Sequence, residues 1–285
     1  MRSFLTTAAT YGRMIKLSHS IFAMPFALAS AWLASRASPL GWMGWALIVV
    51  CMVSARSAAM GFNRLVDRRF DGLNPRTAVR EIPSGQIGVG AARAFVLLSS
   101  VMFVAAAFAL HPLCGWLSPV ALAVVLGYSY AKRFTALVHL WLGVALGLAP
   151  VAAWIAVTGT VSSAAIVLAV AVATWVSGFD ILYSLQDEDF DRAQGLHSIP
   201  ARLGRVGALW VSGGLHLGTA ACLATLPALI PLAWPYWVGF AAITAVLAYE
   251  HWLVRPNDLS KIDKAFFDLN GYVSLAFLAA VVLGG

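Results

Sequence analysis

Nine stretches of about twenty mostly apolar residues, each long enough to cross a bilayer core as a helix, run through this 285-residue chain. They fall at roughly 17–35, 41–62, 91–110, 113–131, 137–156, 162–183, 206–228, 230–253 and 265–284. A helix satisfies its own backbone donors and acceptors, which a hydrocarbon core requires of any spanning segment. Composition excludes a soluble domain, since 61% of the residues are apolar and 11% charged. The expected fold class is all-α: a polytopic membrane bundle of nine transmembrane helices around a central cavity, forming one domain over residues 1–285. Cys51, Cys114 and Cys222 lie inside apolar runs without metal-ligand spacing and read as small hydrophobes. A cleaved signal peptide is not expected, because Arg13 and Lys16 lie too far in for a short basic leader.

Polar punctuation separates the runs at Ser38-Pro39, His111-Pro112, Thr158-Gly159-Thr160 and Pro227 to Pro235. Runs three and four, and runs seven and eight, are joined closely enough to form helical hairpins. Orientation follows from Lys and Arg, which stay on the cytoplasmic side. With the N-terminus inside and the C-terminus outside, all of the 19 basic residues except Arg36 and Arg56 fall inside. They occupy the N-terminal segment, a 64–93 loop, Lys132-Arg133, a 192–205 loop and a 255–264 loop. The net charge of +7 is thus a topological signature, and no nucleic-acid partner is expected. Nearly all acidic residues share this side, so chemistry is expected where the cavity opens to the cytoplasm.

Asn63, Asp67 and Asp71 are spaced i, i+4, i+8, and Asp187 and Asp191 i, i+4, so on helices each set lines one face. Both sets end in D-x-x-F-D. Each inner loop that follows carries a basic residue and an Ile-Pro, at Arg80 to Pro83 and at His197 to Pro200, a pattern expected of a duplicated carboxylate-bearing helix. Facing each other, the two helix ends would gather four carboxylates and an amide. Hard oxygen donors of this kind suit Mg²⁺, commonly shared with substrate phosphates, so a magnesium-held diphosphate is the expected occupant. Glu188 and Asp189 read as a solvated face paired with Arg64, Arg68 and Arg69.

Arg56 and Asp180 each precede their motif by seven residues, on the same helical face and about two turns deeper. Either they form a buried salt bridge with each other, or Arg56 is a fork-like anchor for the carboxylate of a second substrate. Asp180 would then orient that substrate or steady developing positive charge. Lys132, Arg133 and Lys16 with His19, at inner helix ends, read as donors to phosphate oxygens. Arg76 and Arg80, with Pro83-Ser84-Gly85, sit in a stretch long enough to act as a lid. A cation or organic-anion transporter is the rival from another class. It predicts helices broken near the midplane, whereas these charges gather at one end.

At these residues the sequence resembles the UbiA superfamily of intramembrane prenyltransferases. The likeness runs through Lys16 to Phe26, the N-x-x-x-D-x-x-x-D of Asn63 to Asp71, Asn74 to Arg80 with Pro83-Ser84-Gly85, Tyr130 to Thr135, and Asp180 to Gly204. The resemblance implies transfer of a polyprenyl group from its diphosphate to an aromatic ring in quinone biosynthesis, in an enzyme of the bacterial inner membrane. The acceptor it points to most is 4-hydroxybenzoate. The stretch Gly61 to Thr77 also looks like a UbiA-like subgroup assigned to menaquinone synthesis through futalosine, and dihydroxynaphthoate, chlorophyll and haem acceptors stay open. In the family the two motifs hold Mg²⁺ and diphosphate, and an Arg at the position of Arg56 is assigned to the acceptor carboxylate. No protein partner is implied.

Overall fold

A computed structural model describes residues 9–15 and 22–285, so Lys16 and His19 lie outside the described residues. The main helices are α1 (Met24–Ser35), α2 (Trp42–Leu73), α3 (Val89–Leu110), α4 (Pro112–Ala131), α5 (Val138–Thr158), α6 (Ser163–Ser184), α7 (Ile199–Thr225), α8 (Trp234–Leu253) and α9 (Asn270–Gly284). A 3-10 turn (Leu185–Asp187) and a short helix (Glu188–Ala193) prolong α6, and a π-helical segment (Ala265–Leu269) leads into α9. Among the described residues, seven of these segments are long and apolar enough to cross a membrane. Of the nine expected spans, the two outside that set are α1, with 12 residues, and α8.

Local chemistry sets the boundaries. Pro112 opens α4 where a missing N–H costs nothing, and His111 Nδ1 caps it by accepting from Leu113 N at 3.1 Å. Ser162 and Ser198 cap α6 and α7 in the same way. Gly159 ends α5 in the left-handed region, at φ +70°. Two expected boundaries move. The helix of run two continues through the whole acidic motif to Leu73, so the expected 64–93 loop begins only at residue 74. Run seven was expected from 206, but α7 starts at Ile199 and turns at Gly204, again at φ +70°, before its apolar part.

The most buried span is α6, which lies between α5 and α7. Gly143 and Gly147 on α5 let the backbones of α5 and α6 approach: a Cβ on either would run into the carbonyl of Ala173 or Ala169. Ser212 Oγ of α7 donates to the Gly178 carbonyl of α6 at 2.8 Å, and the Thr174 and Thr219 hydroxyls meet at 2.9 Å. This attachment explains a departure from expectation. While α3 and α4 form the expected hairpin, α7 packs on α6 and α8 on α9, with only slight contact between α7 and α8.

The core joins α1, α6, α8 and α9. Phe26 stacks on Phe277 with ring centroids 4.6 Å apart and lies 5.0 Å from Trp175. These rings are fully buried, and between membrane helices it is such close packing that holds the helices together. Trp175 Nε1 donates to Asn270 Oδ1 at 2.8 Å, and Asn270 Nδ2 to Glu250 Oε1 at 3.1 Å, which pairs these groups inside the core and leaves Glu250 Oε2 without a hydrogen bond.

The close approach of α5 and α6 makes a size-dependent prediction. Gly143→Val should force the two helices apart and cost about 1–3 kcal/mol, read as a lowered melting temperature in detergent. Gly90→Ala, at an exposed position on α3 where a Cβ meets nothing within 4 Å, should leave the melt unchanged or slightly raised.

Candidate active site

At one end of the bundle α2, residues 74–88, α4, α5 and the prolonged end of α6 surround a polar hollow of about 190 Å³. Asn63, Asp67, Asp71, Arg76, Arg80, Lys132, Arg133, Asp180, Asp187 and Asp191 all line it. The two acidic motifs, far apart in sequence, therefore face one volume. Their phenylalanines, Phe70 and Phe190, line it as well.

The carboxylates are met one by one by basic groups. Arg76 Nη2 lies 2.6 Å from Asp187 Oδ2, Arg80 Nη1 2.6 Å from Asp71 Oδ1, Lys132 Nζ 3.1 Å from Asp191 Oδ2, and Arg133 Nη2 3.2 Å from Asp67 Oδ1. Asn63 Nδ2 donates to Asp67 Oδ2 at 2.9 Å, which fixes that carboxylate and leaves the amide oxygen over. Arg133 is steadied by the faces of Tyr130 and Phe70, and Arg76 lies over Tyr183. Burial works against the Arg76 charge, but the hydrogen bond and charge of Asp187 outweigh it and raise the guanidinium above its ordinary pKa.

Two expectations are corrected. Asp187 and Asp191 do not share one continuous helix: a 3-10 turn intervenes, leaving Asp187 partly exposed before the short helix and Asp191 buried within it. Glu188 is not solvated and is not matched to Arg64, Arg68 or Arg69. It is buried, with Arg192 at 2.9 Å and Arg205 at 3.1 Å, and ties the end of α6 to α7. The two Ile-Pro elements also differ, one lying in the 74–88 turns and the other opening α7.

A second cavity, about 520 Å³ and mostly apolar, adjoins the hollow. Arg56 lines it beside Ile48, Met52, Phe103, Leu117 and Phe266. Asn63, Arg80, Tyr128, Asp180 and Tyr183 line both cavities and form their common wall. Sequence reading singled out neither tyrosine, although Asp180, Tyr183 and Asp187 at i, i+3, i+7 share a helical face, which was the available signal. It also passed over His139, fully buried on α5, whose Nδ1 lies 2.7 Å from Asp180 Oδ2. The partner of Asp180 was looked for at Arg56 instead.

The donor set fits Mg²⁺. Asp71 Oδ2 is buried with no hydrogen-bond partner, and Arg64 Nη1 lies 4.0 Å from it. Among the described residues no three His, Cys, Asp or Glu are grouped to hold an ion by themselves. Mg²⁺ does not demand that, because it usually takes one or two carboxylates and fills its shell with water and substrate phosphate oxygens.

A family model described as the UbiA prenyltransferase family matches residues 23–279. A 4-hydroxybenzoate octaprenyltransferase of Acidovorax ebreus is 34% identical over 261 residues, covering 90% of this chain and 88% of that one. One from Cupriavidus necator is 28% identical over 283 residues, covering 98% of each. The apo structure of a UbiA homolog from Aeropyrum pernix K1 has a TM-score of 0.84 at 34% identity, over 93% of this chain and 97% of that one. A UbiA homolog from Archaeoglobus fulgidus bound to GPP and Mg²⁺ shares the fold at 18% identity, with a TM-score of 0.76 over 96% of this chain and 98% of that one.

The ion pairs differ in what their loss exposes. Lys132→Ala leaves Asp191, 2% exposed, without its cation and should cost about 2–3 kcal/mol, below the roughly 3–5 kcal/mol of a fully buried pair. Arg76→Ala breaks a pair whose arginine is 36% exposed and should cost no more than about 1 kcal/mol. Thermal denaturation of the two variants in the same detergent measures the difference.

Proposed function

Because this chain belongs to the UbiA prenyltransferase family and is a prenyltransferase, we propose that it transfers a polyprenyl group from polyprenyl diphosphate to an aromatic carboxylate of the 4-hydroxybenzoate type. On this reading Mg²⁺ is the cofactor and the product feeds ubiquinone or menaquinone formation. The observation that carries it is the pair of adjoining cavities, one polar and charged, one apolar, with a common wall. A prenyl diphosphate has those two halves, and its reacting carbon lies where they join. Relatives named 4-hydroxybenzoate octaprenyltransferase support the acceptor, and the homolog bound to GPP and Mg²⁺ supports the donor and the metal.

Asn63, Asp67, Asp71, Asp187 and Asp191 would hold Mg²⁺, which when bound supplies positive charge against the departing diphosphate. Arg76, Arg80, Lys132 and Arg133 donate to the remaining phosphate oxygens, and Lys16 is assigned with them from sequence. With the metal held by the carboxylates, the cations would be left to pair with phosphate, so that no charge in the hollow would be uncompensated. The allylic C–O bond breaks with its electron pair leaving on the diphosphate. Tyr128 and Tyr183 line the common wall, where the allylic cation forms. Phe179 and Phe266 line the apolar side and keep water from it. Arg56 holds the acceptor carboxylate, and the ring carbon beside the hydroxyl attacks. Holding both reactants in one cavity supplies the proximity term.

The polar hollow faces the cytoplasm of a bacterial inner membrane, with the N-terminus inside, the C-terminus outside and nine crossings, α1 and α8 included. The one-sided distribution of Lys and Arg supports this orientation.

In membranes, Asp67→Ala or Asp191→Ala should abolish Mg²⁺-dependent prenyl transfer, and unchanged turnover would remove the site assignment. Arg56→Ala should raise the acceptor KM roughly 10–100-fold, the factor carried by the 1.5–3 kcal/mol of a charged hydrogen bond, with the donor KM little affected. Equal rises in both would favour a structural role. Purified protein given a labelled prenyl diphosphate, with 4-hydroxybenzoate and the futalosine-route intermediate side by side, tests the acceptor.

A further inference from the structure

Electrophilic substitution on a ring ends with the loss of a proton, and the site must contain its acceptor. When the ring carbon bonds to the prenyl carbon, two ring electrons form the C–C bond and the hydrogen at that carbon becomes acidic. The C–H electron pair returns to the ring and the proton must leave. The four motif carboxylates line the polar hollow beside their cations. Asp180 is the carboxylate that also lines the apolar cavity, together with Arg56.

Asp180 is held from behind by His139. That imidazole is fully buried, with Nδ1 2.7 Å from Asp180 Oδ2. Its other nitrogen, Nε2, accepts from the backbone N–H of Ile199 at 3.4 Å, at the start of α7. A nitrogen that accepts a backbone N–H carries no hydrogen of its own, so the ring hydrogen is on Nδ1 and is donated to Asp180. The histidine is therefore a donor to the carboxylate. It orients one carboxylate oxygen and leaves the other, Oδ1, with no protein partner among the described residues.

We infer that His139 is a positioning residue for proton removal: it aims Asp180 Oδ1 at the ring hydrogen displaced by the prenyl group. The proton passes from the ring carbon to Oδ1, and from Oδ1 to water in the polar hollow that Asp180 also lines. His139 touches neither substrate and acts through Asp180. This inference rests on the prenyl-transfer reading above and adds to it the fate of the proton.

Two substitutions separate positioning from packing. In His139→Gln the amide oxygen replaces Nε2 as acceptor for Ile199 N–H, while the bond to Asp180 is lost. In His139→Asn the amide nitrogen stands in for Nδ1 and keeps the bond to Asp180, while Ile199 loses its partner. Both are assayed with the full-length protein in liposomes, geranyl diphosphate, Mg²⁺ and 4-hydroxybenzoate carrying hydrogen or deuterium beside its hydroxyl. For the Gln variant kcat should fall on the order of 10²-fold, the lower end of what a general base contributes. Its KM for geranyl diphosphate should not change, and a primary deuterium isotope effect larger than that of the wild type should emerge. The Asn variant should keep most of the wild-type kcat and melt at a lower temperature.

The reverse order, with Gln active and Asn impaired, would overturn the inference, as would a slow Gln variant whose isotope effect matches the wild type. If only one variant folds, its rate and isotope effect still decide by the same criteria. Failure of the wild type to prenylate any aromatic carboxylate would instead defeat the prenyl-transfer reading, and this inference with it.

Discussion

Charges at the edge of an apolar bundle must be matched, and the matching here is done across elements instead of within them. Arg133 reaches from the end of α4 to Asp67 on α2, Lys132 to Asp191 beyond α6, and Arg76 from the 74–88 segment to Asp187. Each pair joins stretches far apart in sequence, so the polar end of the bundle is laced together by the groups that give it chemistry. The two partly exposed pairs, Arg133–Asp67 and Arg76–Asp187, contribute at most about 1 kcal/mol each. Their effect is therefore mainly geometric. They hold a polar volume open against apolar side chains that would otherwise close it, and they keep opposite charges within reach of a multiply charged substrate. Apolar packing, led by Trp175, Phe26 and Phe277, carries the rest of the bundle.

Much of this was legible in the sequence because membrane spans and helical periodicity are strong local signals. The i, i+4, i+8 spacing of Asn63, Asp67 and Asp71 predicted a shared face, and α2 runs unbroken through all three. The same reasoning failed at Asp187 and Asp191, where the helix tightens for three residues, since nothing in the local pattern marks that turn. Glu188 was misjudged because one partner, Arg205, is brought to it by the turn into α7, a tertiary event, and the other, Arg192, a local i, i+4 neighbour, was overlooked. Asp180 was singled out by its depth, with a salt bridge to Arg56 as one of two readings, and sequence spacing gave no weight to a single histidine in another span. Helix adjacency settled that pairing: the glycines of α5 bring His139 against α6. The second expected hairpin failed for a related reason, as small residues and hydroxyls bind α7 to α6 more closely than a short connection binds it to α8.

The length of α2 carries a consequence of its own. Its 32 residues extend about 48 Å at 1.5 Å per residue, against a hydrocarbon thickness of about 30 Å. With the orientation proposed above, the acidic motif on its final turns stands at the level of the lipid headgroups, while the apolar cavity below it lies at acyl-chain depth. On the proposed reading, the isoprenoid meets the enzyme by lateral diffusion in two dimensions, and the small acid meets it from the bulk. The two encounters are governed by different concentrations, a mole fraction of lipid for one and a molarity for the other. Expanding the bilayer at constant enzyme would dilute one reactant and leave the other as it was, so the composition of the membrane becomes a kinetic variable of the reaction.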